Sequence, residues 1–142
     1  GLGDVYKRQI SSFAGLAINR SENLTNESMT PDQLKYGLSH TSKSGDIRTN
    51  YVMTYTSDSP RLPAIADRNG NTTPAVYVPS VFTHDVFLSL DLGKNVDMKL
   101  GIRNITNEKY WDWASVAGLP EGGAQQYLNP GTNLSLDLRY TF

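Results

Sequence analysis

Two histidines are the side chains of this sequence best suited to bind a metal, because neutral imidazole is a common metal ligand. His84 has the same parity as Val86 and Leu88, and His40 has the same parity as Leu38. Residues two apart in an extended strand point to the same face. We therefore expect both histidines to be ordinary side chains of an apolar face rather than ligands.

Four aromatic residues near the C-terminus are the other candidates for contact with a ligand: Tyr110, Trp111, Trp113 and Tyr127. Their rings could stack on a flat ligand or on a partner protein, and they could equally fold their own segment onto the rest of the protein. The sequence favours the structural role.

Other motifs indicate little chemistry. The stretch DRNGNTT at residues 67–73 faintly resembles a calcium loop, but its glycine is at the fourth position and an EF-hand needs glycine at the sixth. We expect a solvated turn there. No G-x-S-x-G, Walker loop, H-E-x-x-H or well-spaced carboxylate pair occurs, so we expect no enzyme. Chance explains the five N-x-[ST] matches better than glycosylation does. They are at Asn23, Asn26, Asn71, Asn104 and Asn133.

Composition excludes several classes of protein. The 142 residues include 13 basic and 14 acidic side chains, which argues against a nucleic-acid partner. Cysteine is absent, so the chain has no disulfide framework and no thiolate metal site. No apolar run approaches the roughly 18 residues of a membrane-spanning helix. A transmembrane β-barrel is compatible with this composition, because half of each of its strands is polar.

Alternation of apolar and polar residues indicates the elements that position these side chains. We predict six strands, at residues 10–19, 34–41, 46–56, 84–92, 95–104 and 132–142. Short turns at 42–45 and 93–95 alternate with long loops at 20–33, 57–83 and 105–131, and no stretch has convincing helical periodicity. The sequence thus predicts an all-β, antiparallel up-and-down meander with every long loop at one end.

The two parities of these strands differ sharply in polarity. One face is expected to carry the apolar set Val86, Leu88, Leu90, Val96, Met98, Leu100, Ile102, Leu134 and Leu136. The opposite face is expected to carry the charged set Arg48, Asp85, Asp91, Asp97, Lys99, Arg103, Asp137 and Arg139. Parity alone does not decide whether a protein core or a lipid bilayer covers the apolar face.

Loop and strand lengths favour the bilayer. Loops longer than about a dozen residues are uncommon in compact soluble domains, whereas outer-membrane barrels pair long extracellular loops with short periplasmic turns. Several predicted strands reach the roughly 9 to 11 residues of a tilted transmembrane strand. We expect the apolar set to face lipid and the charged set to face an aqueous lumen. A soluble β-sandwich or lipocalin-like binding domain remains the alternative.

The C-terminal third resembles a known family. GIRNITNEKYWDWASVAGL at residues 101–119, followed by YLNPGTNLSLDLRYTF, is similar to the C-terminus of TonB-dependent outer-membrane receptors. The residues that match the family pattern N-[apolar]-x-[ND]-x-x-Y of the last extracellular loop are Asn104, Ile105, Asn107 and Tyr110. The residues that resemble the haem and haemoglobin receptor branch are Trp111, Asp112 and Trp113, with Pro130, Gly131 and Asn133. The similarity extends over residues 10 to 142.

This resemblance implies that the chain is a fragment, the last six strands of a 22-stranded barrel. The rest of the receptor would include an N-terminal plug domain, on which the TonB complex acts to import an iron source, haem or a haem protein. The fragment itself would bind no cofactor, since the family's haem-contacting His boxes would lie upstream. A siderophore or another TonB-dependent substrate is the alternative ligand, and a non-transporting outer-membrane barrel is the alternative protein.

The two ends of the chain carry further expectations. Residues 1–9, GLGDVYKRQ, resemble a translated adapter and are expected to be non-native. The family's signal to the barrel-assembly machinery would be Leu138, Tyr140 and Phe142, which share one face of the last strand. The resemblance therefore implies a location in the outer membrane of a Gram-negative cell.

Overall fold

A computed structural model describes residues 9–18, 30–93 and 95–142 of the chain. The strands are β1 Gln9–Ala17, β2 Gln33–Thr41, β3 Ile47–Thr56, β4 Ile65–Ala66, β5 Thr72–Thr73, β6 Val81–Asp91, β7 Val96–Arg103 and β8 Asn133–Tyr140. Six of them form one antiparallel sheet in the order β1-β2-β3-β6-β7-β8, and β4 pairs with β5 alone. The predicted all-β, six-stranded antiparallel meander is therefore confirmed, with β1 and β8 as its edges.

The observed bounds differ most from the predicted ones at β6. This strand begins at Val81, three residues before the predicted start, and Val81 lies opposite Thr56 in the ladder. The long connections also contain regular structure that the sequence did not indicate. The connection between β3 and β6 holds the β4-β5 hairpin. The connection between β7 and β8 holds the helix α1 Trp113–Val116 and the 3₁₀ helix Glu121–Tyr127. No helix in the described part of the chain is both long and apolar enough to cross a membrane.

Two tight turns close the sheet at one end. Ser42 N donates to Ile47 O at 2.8 Å between β2 and β3, and Leu92 N donates to Val96 O at 2.9 Å between β6 and β7. Asn95 takes a positive φ of 66° in the second turn, a conformation that Asn adopts more readily than most residues. Because neighbouring strands are antiparallel, the connection between β3 and β6 and the connection between β7 and β8 lie at the opposite end.

The register places residues of like polarity opposite one another across the sheet. Leu88 lies opposite Leu100, which in turn lies opposite Leu136. On the other face, Lys99 lies opposite Asp137, and Asp97 lies opposite Arg139. The same parity continues into β1, β2 and β3, and no Asp, Glu, Lys or Arg falls on the apolar parity of the six strands.

The hydrophobic core lies outside the sheet. The buried apolar side chains of the described residues are Val76, Val78, Trp113, Val116 and Ala124, all of which belong to the long connections. The apolar face of the sheet stays uncovered, and the side chains of Leu134 and Leu136 are 75% and 61% exposed. Among the described residues, no second layer packs on the apolar face of the sheet.

Two glycines on the polar face make room for aromatic rings on the neighbouring strand. Phe13 lies opposite Gly37, and its ring fills the place that a Cβ atom on Gly37 would take. Phe87 lies opposite Gly101, and its Cδ1 atom would be 3.2 Å from a Cβ atom there. An aromatic ring that covers a cross-strand glycine restores packing that the glycine lacks.

Candidate ligand-binding pocket

The last long connection begins with a turn built on Asn104. Its φ of 51° lies in the left-handed region, which Asn tolerates better than most residues. The side chain is buried: its Nδ2 donates to Glu108 O at 2.8 Å, and its Oδ1 accepts from Glu108 N at 2.9 Å. The backbone N–H of Asn104 donates to Asp85 Oδ1 at 2.8 Å, which fixes the turn to β6.

The two ends of this connection are tied together at their base. Thr132 Oγ1 donates to Asn104 O at 2.9 Å, and Thr132 N donates to Asn107 Oδ1 at 3.1 Å. The amide oxygen of Asn107 occupies the space that a Cβ atom on Gly131 would need. The motif residues Asn104, Asn107 and Gly131 therefore have a structural explanation, namely closure of the loop.

The other motif residues have separate surroundings. Ile105 is exposed, and its backbone N–H donates to His84 O at 2.9 Å. Pro130 lines the pocket described below, and Asn133 lies opposite Arg103 in the β7-β8 ladder. At the end of the chain, the rings of Tyr140 and Phe142 contact edge to face with centroids 5.3 Å apart, while Leu138 lies opposite Met98.

The aromatic residues hold the interior of the last connection in place. Trp111 Nε1 donates to Ala124 O at 2.8 Å, and Asn129 N donates to Tyr110 O at 2.9 Å. Trp113 is 4% exposed and packs in the loop core, where its Nε1 atom has no hydrogen-bond partner among the described residues. The two indoles are thus held inside the last connection, Trp111 by a hydrogen bond and Trp113 by burial.

The connection between β3 and β6 packs against the last connection. Val76 N donates to Leu119 O at 2.9 Å, and Glu121 N donates to Pro74 O at 3.1 Å. Together with the shared core of Val76, Val78 and Trp113, these bonds join the two connections into one folded unit. We refer to residues 57–80 and 104–132 as the loop unit.

A cavity of about 680 Å³ lies between the loop unit and the polar face of β2, β3 and β6. All four aromatic candidates line it: Tyr110, Trp111, Trp113 and Tyr127. The sheet contributes polar residues that the sequence analysis did not single out as ligand contacts, namely Gln33, Thr54, Thr56 and Thr83. Their polar-face parity at the loop end of the strands is the signal that could have identified them. We call this cavity the aromatic pocket.

The electrostatics of the aromatic pocket are set by carboxylates. Asp112 is the only residue with a charged side chain among the described lining residues. Burial, followed by the negative charges of Asp85 and Asp112, raises the pKa of the Tyr110 phenol above its usual value of about 10. Tyr110 is therefore a neutral hydroxyl at physiological pH, able to donate or accept a hydrogen bond.

The histidines lie outside this pocket. His84 Nδ1 is 2.6 Å from Tyr51 Oη on the apolar face, and the two rings are stacked with centroids 5.9 Å apart. His40 is exposed and lies opposite Thr49 and Ile10. Within the described ranges, no three His, Cys, Asp or Glu residues are placed to hold a metal ion.

The DRNGNTT stretch forms the expected exposed turn, between β4 and β5. Asp67 Oδ1 accepts from the backbone N–H groups of Asn69 and Asn71, both at 2.8 Å. The hydrogen bond from the Asn71 side chain, followed by these backbone bonds, stabilises the carboxylate and lowers the pKa of Asp67. The carboxylate is thus used by its own turn.

Six of the eight residues of the predicted charged set lie at the tight-turn end of the sheet. A shallow cavity of about 560 Å³ there is lined by Arg48, Asp91, Asp97, Lys99, Asp137 and Arg139. The remaining two members of the predicted charged set, Asp85 and Arg103, lie nearer the loop unit. The adapter-like residues 1–8 and the N-x-[ST] positions Asn23 and Asn26 lie outside the described residues.

No protein-family model matches the chain.

Proposed function

We propose that this chain is the C-terminal part of a TonB-dependent outer-membrane receptor, whose strands form one side of a 22-stranded barrel. The complete receptor imports an iron source, haem or a haem protein, and is energised by TonB through a plug domain outside this chain. The single observation that carries the barrel assignment is the uncovered apolar face, which extends across all six strands without a charged residue.

The size of the uncovered face argues for a cover of hydrocarbon. Soluble monomers rarely expose contiguous apolar patches larger than a few hundred Å². Here the apolar residues of six adjacent strands form a single surface. Those of the edge strand β8 are more than half exposed. A bilayer removes such a surface from water and leaves the opposite face polar, as in a barrel lumen.

The distribution of the remaining residues supports the same proposal. Strands of 8 to 11 residues suit a tilted transmembrane β-segment, and the longest, β3 and β6, have 10 and 11 residues. Tyr51, Tyr55, Phe82 and His84 form a band on the apolar face near the loop unit. Aromatic bands at the membrane interface are typical of outer-membrane barrels.

The soluble alternative requires a second layer. A sandwich or lipocalin-like domain buries the apolar face of its own sheet, with inward side chains from two sheets or from a closed barrel. In the described residues, burial is concentrated in the loop unit instead. A transporting receptor is favoured over a non-transporting barrel because residues 101–119 and 127–142 resemble the receptor family.

Two adjacent residues of β8 provide the test of membrane insertion. Leu136 lies opposite Leu100 on the apolar face, and Ser135 lies opposite Gly101 on the polar face. An Arg facing lipid at mid-membrane costs about 2–4 kcal/mol, whereas an Arg facing water costs little. We expect Leu136→Arg to block heat-modifiable assembly of the complete protein in outer membranes and Ser135→Arg to assemble normally. Equal assembly of the two variants would refute the membrane orientation.

Transport is tested separately on the complete protein. We expect cells that lack other haem receptors to grow on haem as their only iron source when the protein is present, and to stop growing when TonB is deleted. Growth that does not depend on TonB would remove the transport assignment while leaving the barrel intact.

A further inference from the structure

We propose that the aromatic pocket binds uncharged sugar rings. This inference rests on the proposed function in one respect, because it takes the loop unit to lie at the outer rim of a receptor. It names a class of ligand for a pocket to which nothing above assigns one. Three features of the pocket support it: the aromatic wall, the hydroxyl wall and the charge.

The aromatic wall offers ring faces to a ligand. Tyr127 is 43% exposed at the pocket, while Tyr110 and Trp111 are held in place by backbone and indole hydrogen bonds. The less polar C–H face of a pyranose packs against such rings, and its hydroxyl groups project from the ring edge. Rigid aromatic side chains lose little conformational entropy when they bind, so they suit this contact.

The opposite wall is rich in hydroxyl groups. Thr54 and Thr83 lie directly opposite each other on β3 and β6, and Thr56 Oγ1 accepts a long bond of 3.4 Å from Gln33 Nε2. A hydroxyl group both donates and accepts, as does an amide. This wall can therefore bond sugar hydroxyls in either direction without presenting a charge. A volume of about 680 Å³ is within the range of small-molecule sites.

The charge of the described lining residues favours neutral ligands over anions. No Lys, Arg or His is found among the described lining residues, and Asp112 contributes a negative charge. The negative charge of Asp85, which is not a lining residue, also acts on Tyr110. A buried or half-buried anion needs a partner of opposite charge. None of the described lining residues supplies one to the propionates of haem or to an anionic iron chelate, and Lys35, opposite Thr54 in the β2-β3 ladder, lies outside the lining. Uncharged polyols do not need one.

Sugar rings could reach this pocket from two sources. A free oligosaccharide and a glycan carried on a partner glycoprotein present the same rings to the rim. In the second case the pocket would hold a glycosylated carrier while the receptor takes up its iron source. The pocket chemistry is the same for both, and the experiment below separates them.

Calorimetric titration of the complete protein in detergent tests the proposal. The probes are maltotriose, cellotriose and triacetylchitotriose, with trigalacturonic acid as the charged control. We expect saturable binding of at least one neutral trisaccharide and binding at least tenfold weaker for trigalacturonic acid. A neutral trisaccharide that binds should also be tested as a glycan on a protein, before and after enzymatic deglycosylation. Loss of protein binding on deglycosylation identifies the carrier source, and uptake of the labelled free trisaccharide identifies the other.

Two tyrosines of the loop unit locate the binding. Tyr127 lines the aromatic pocket, whereas Tyr77 lies outside it, where its Oη donates to Asp58 Oδ2 at 2.7 Å and Arg61 stacks on its ring. We expect Tyr127→Ala to weaken binding about tenfold and Tyr77→Ala to leave it unchanged. No binding of any neutral probe, preference for the anionic probe, or equal effects of the two variants would each overturn the proposal. Membrane assembly and growth on haem do not depend on this result, so the proposed function is tested independently.

Discussion

Replacing Asn104 should destabilise the loop unit in two separable ways. Its side chain makes two hydrogen bonds with the backbone of Glu108, each worth about 0.5–1.5 kcal/mol, and its backbone takes a φ of 51°. Ala loses both bonds and adds about 1–2 kcal/mol for the left-handed conformation. Gly loses the same bonds but adopts that conformation without a Cβ clash. We therefore expect a cost of about 2–5 kcal/mol for Asn104→Ala and about 1–3 kcal/mol for Asn104→Gly.

The two tryptophans of the chain make this difference measurable. Both are in the last connection, at positions 111 and 113, so intrinsic fluorescence reports unfolding of the loop unit directly. Urea titration of the two variants and the parent protein in detergent micelles gives the free energies of unfolding. The bonds through the backbone of Asn104, from its N–H to Asp85 and from Thr132 to its carbonyl, are unchanged by either substitution. If Gly costs as much as Ala, or if neither costs more than about 0.5 kcal/mol, the assigned role of this residue is wrong.

Two further predictions concern the sheet and the pH dependence of the loop unit. Gly37→Ala should lower the free energy of unfolding in urea by about 1–3 kcal/mol, because its Cβ atom would overlap the ring of Phe13. Gly15→Ala, with open space around it, should leave that free energy unchanged. Equal urea midpoints for the two variants would contradict the packing of Phe13 on Gly37. Because the folded-state pKa of Tyr110 is raised, its contribution to stability is complete below pH ~10 and is lost as pH rises through the folded pKa. Tyr110→Phe should therefore lose less of its free energy of unfolding at alkaline pH than the parent protein does. Phenolate absorbance, recorded as the pH is raised, measures the ionisation of Tyr110.

The sheet was largely predictable because alternation with period two is a local signal. Hairpin turns at 42–45 and 93–95 and the polarity of each parity follow from residues that are adjacent in sequence. The early start of β6 was missed because Val81 and Phe82 are both apolar and break the alternation. α1 and β4 were missed because elements of four and two residues are too short to establish a period.

The loop unit was not predictable in the same way. Its core joins Val76 and Val78 to Trp113 and Val116, which are separated by more than thirty residues and carry no common pattern. The aromatic side of the pocket was anticipated as residue types, but its position against Thr54 and Thr83 depends on that long-range packing. The motif residues Asn104 and Asn107 were identified by resemblance alone, and the structure supplies their reason as left-handed turn residues.

The bonds from Thr132 to Asn104 and Asn107 close the last connection where it leaves the sheet. The segment between residues 109 and 130 is thus closed at its base, while its interior stays packed against Val76 and Val78 of the connection between β3 and β6. The entropic cost of closing such a segment grows only with the logarithm of its length. The register of β7 and β8 does not depend on what the segment contains. The segment can therefore change in length without a change in the β7-β8 ladder, provided that its contacts with Val76 and Pro74 are kept.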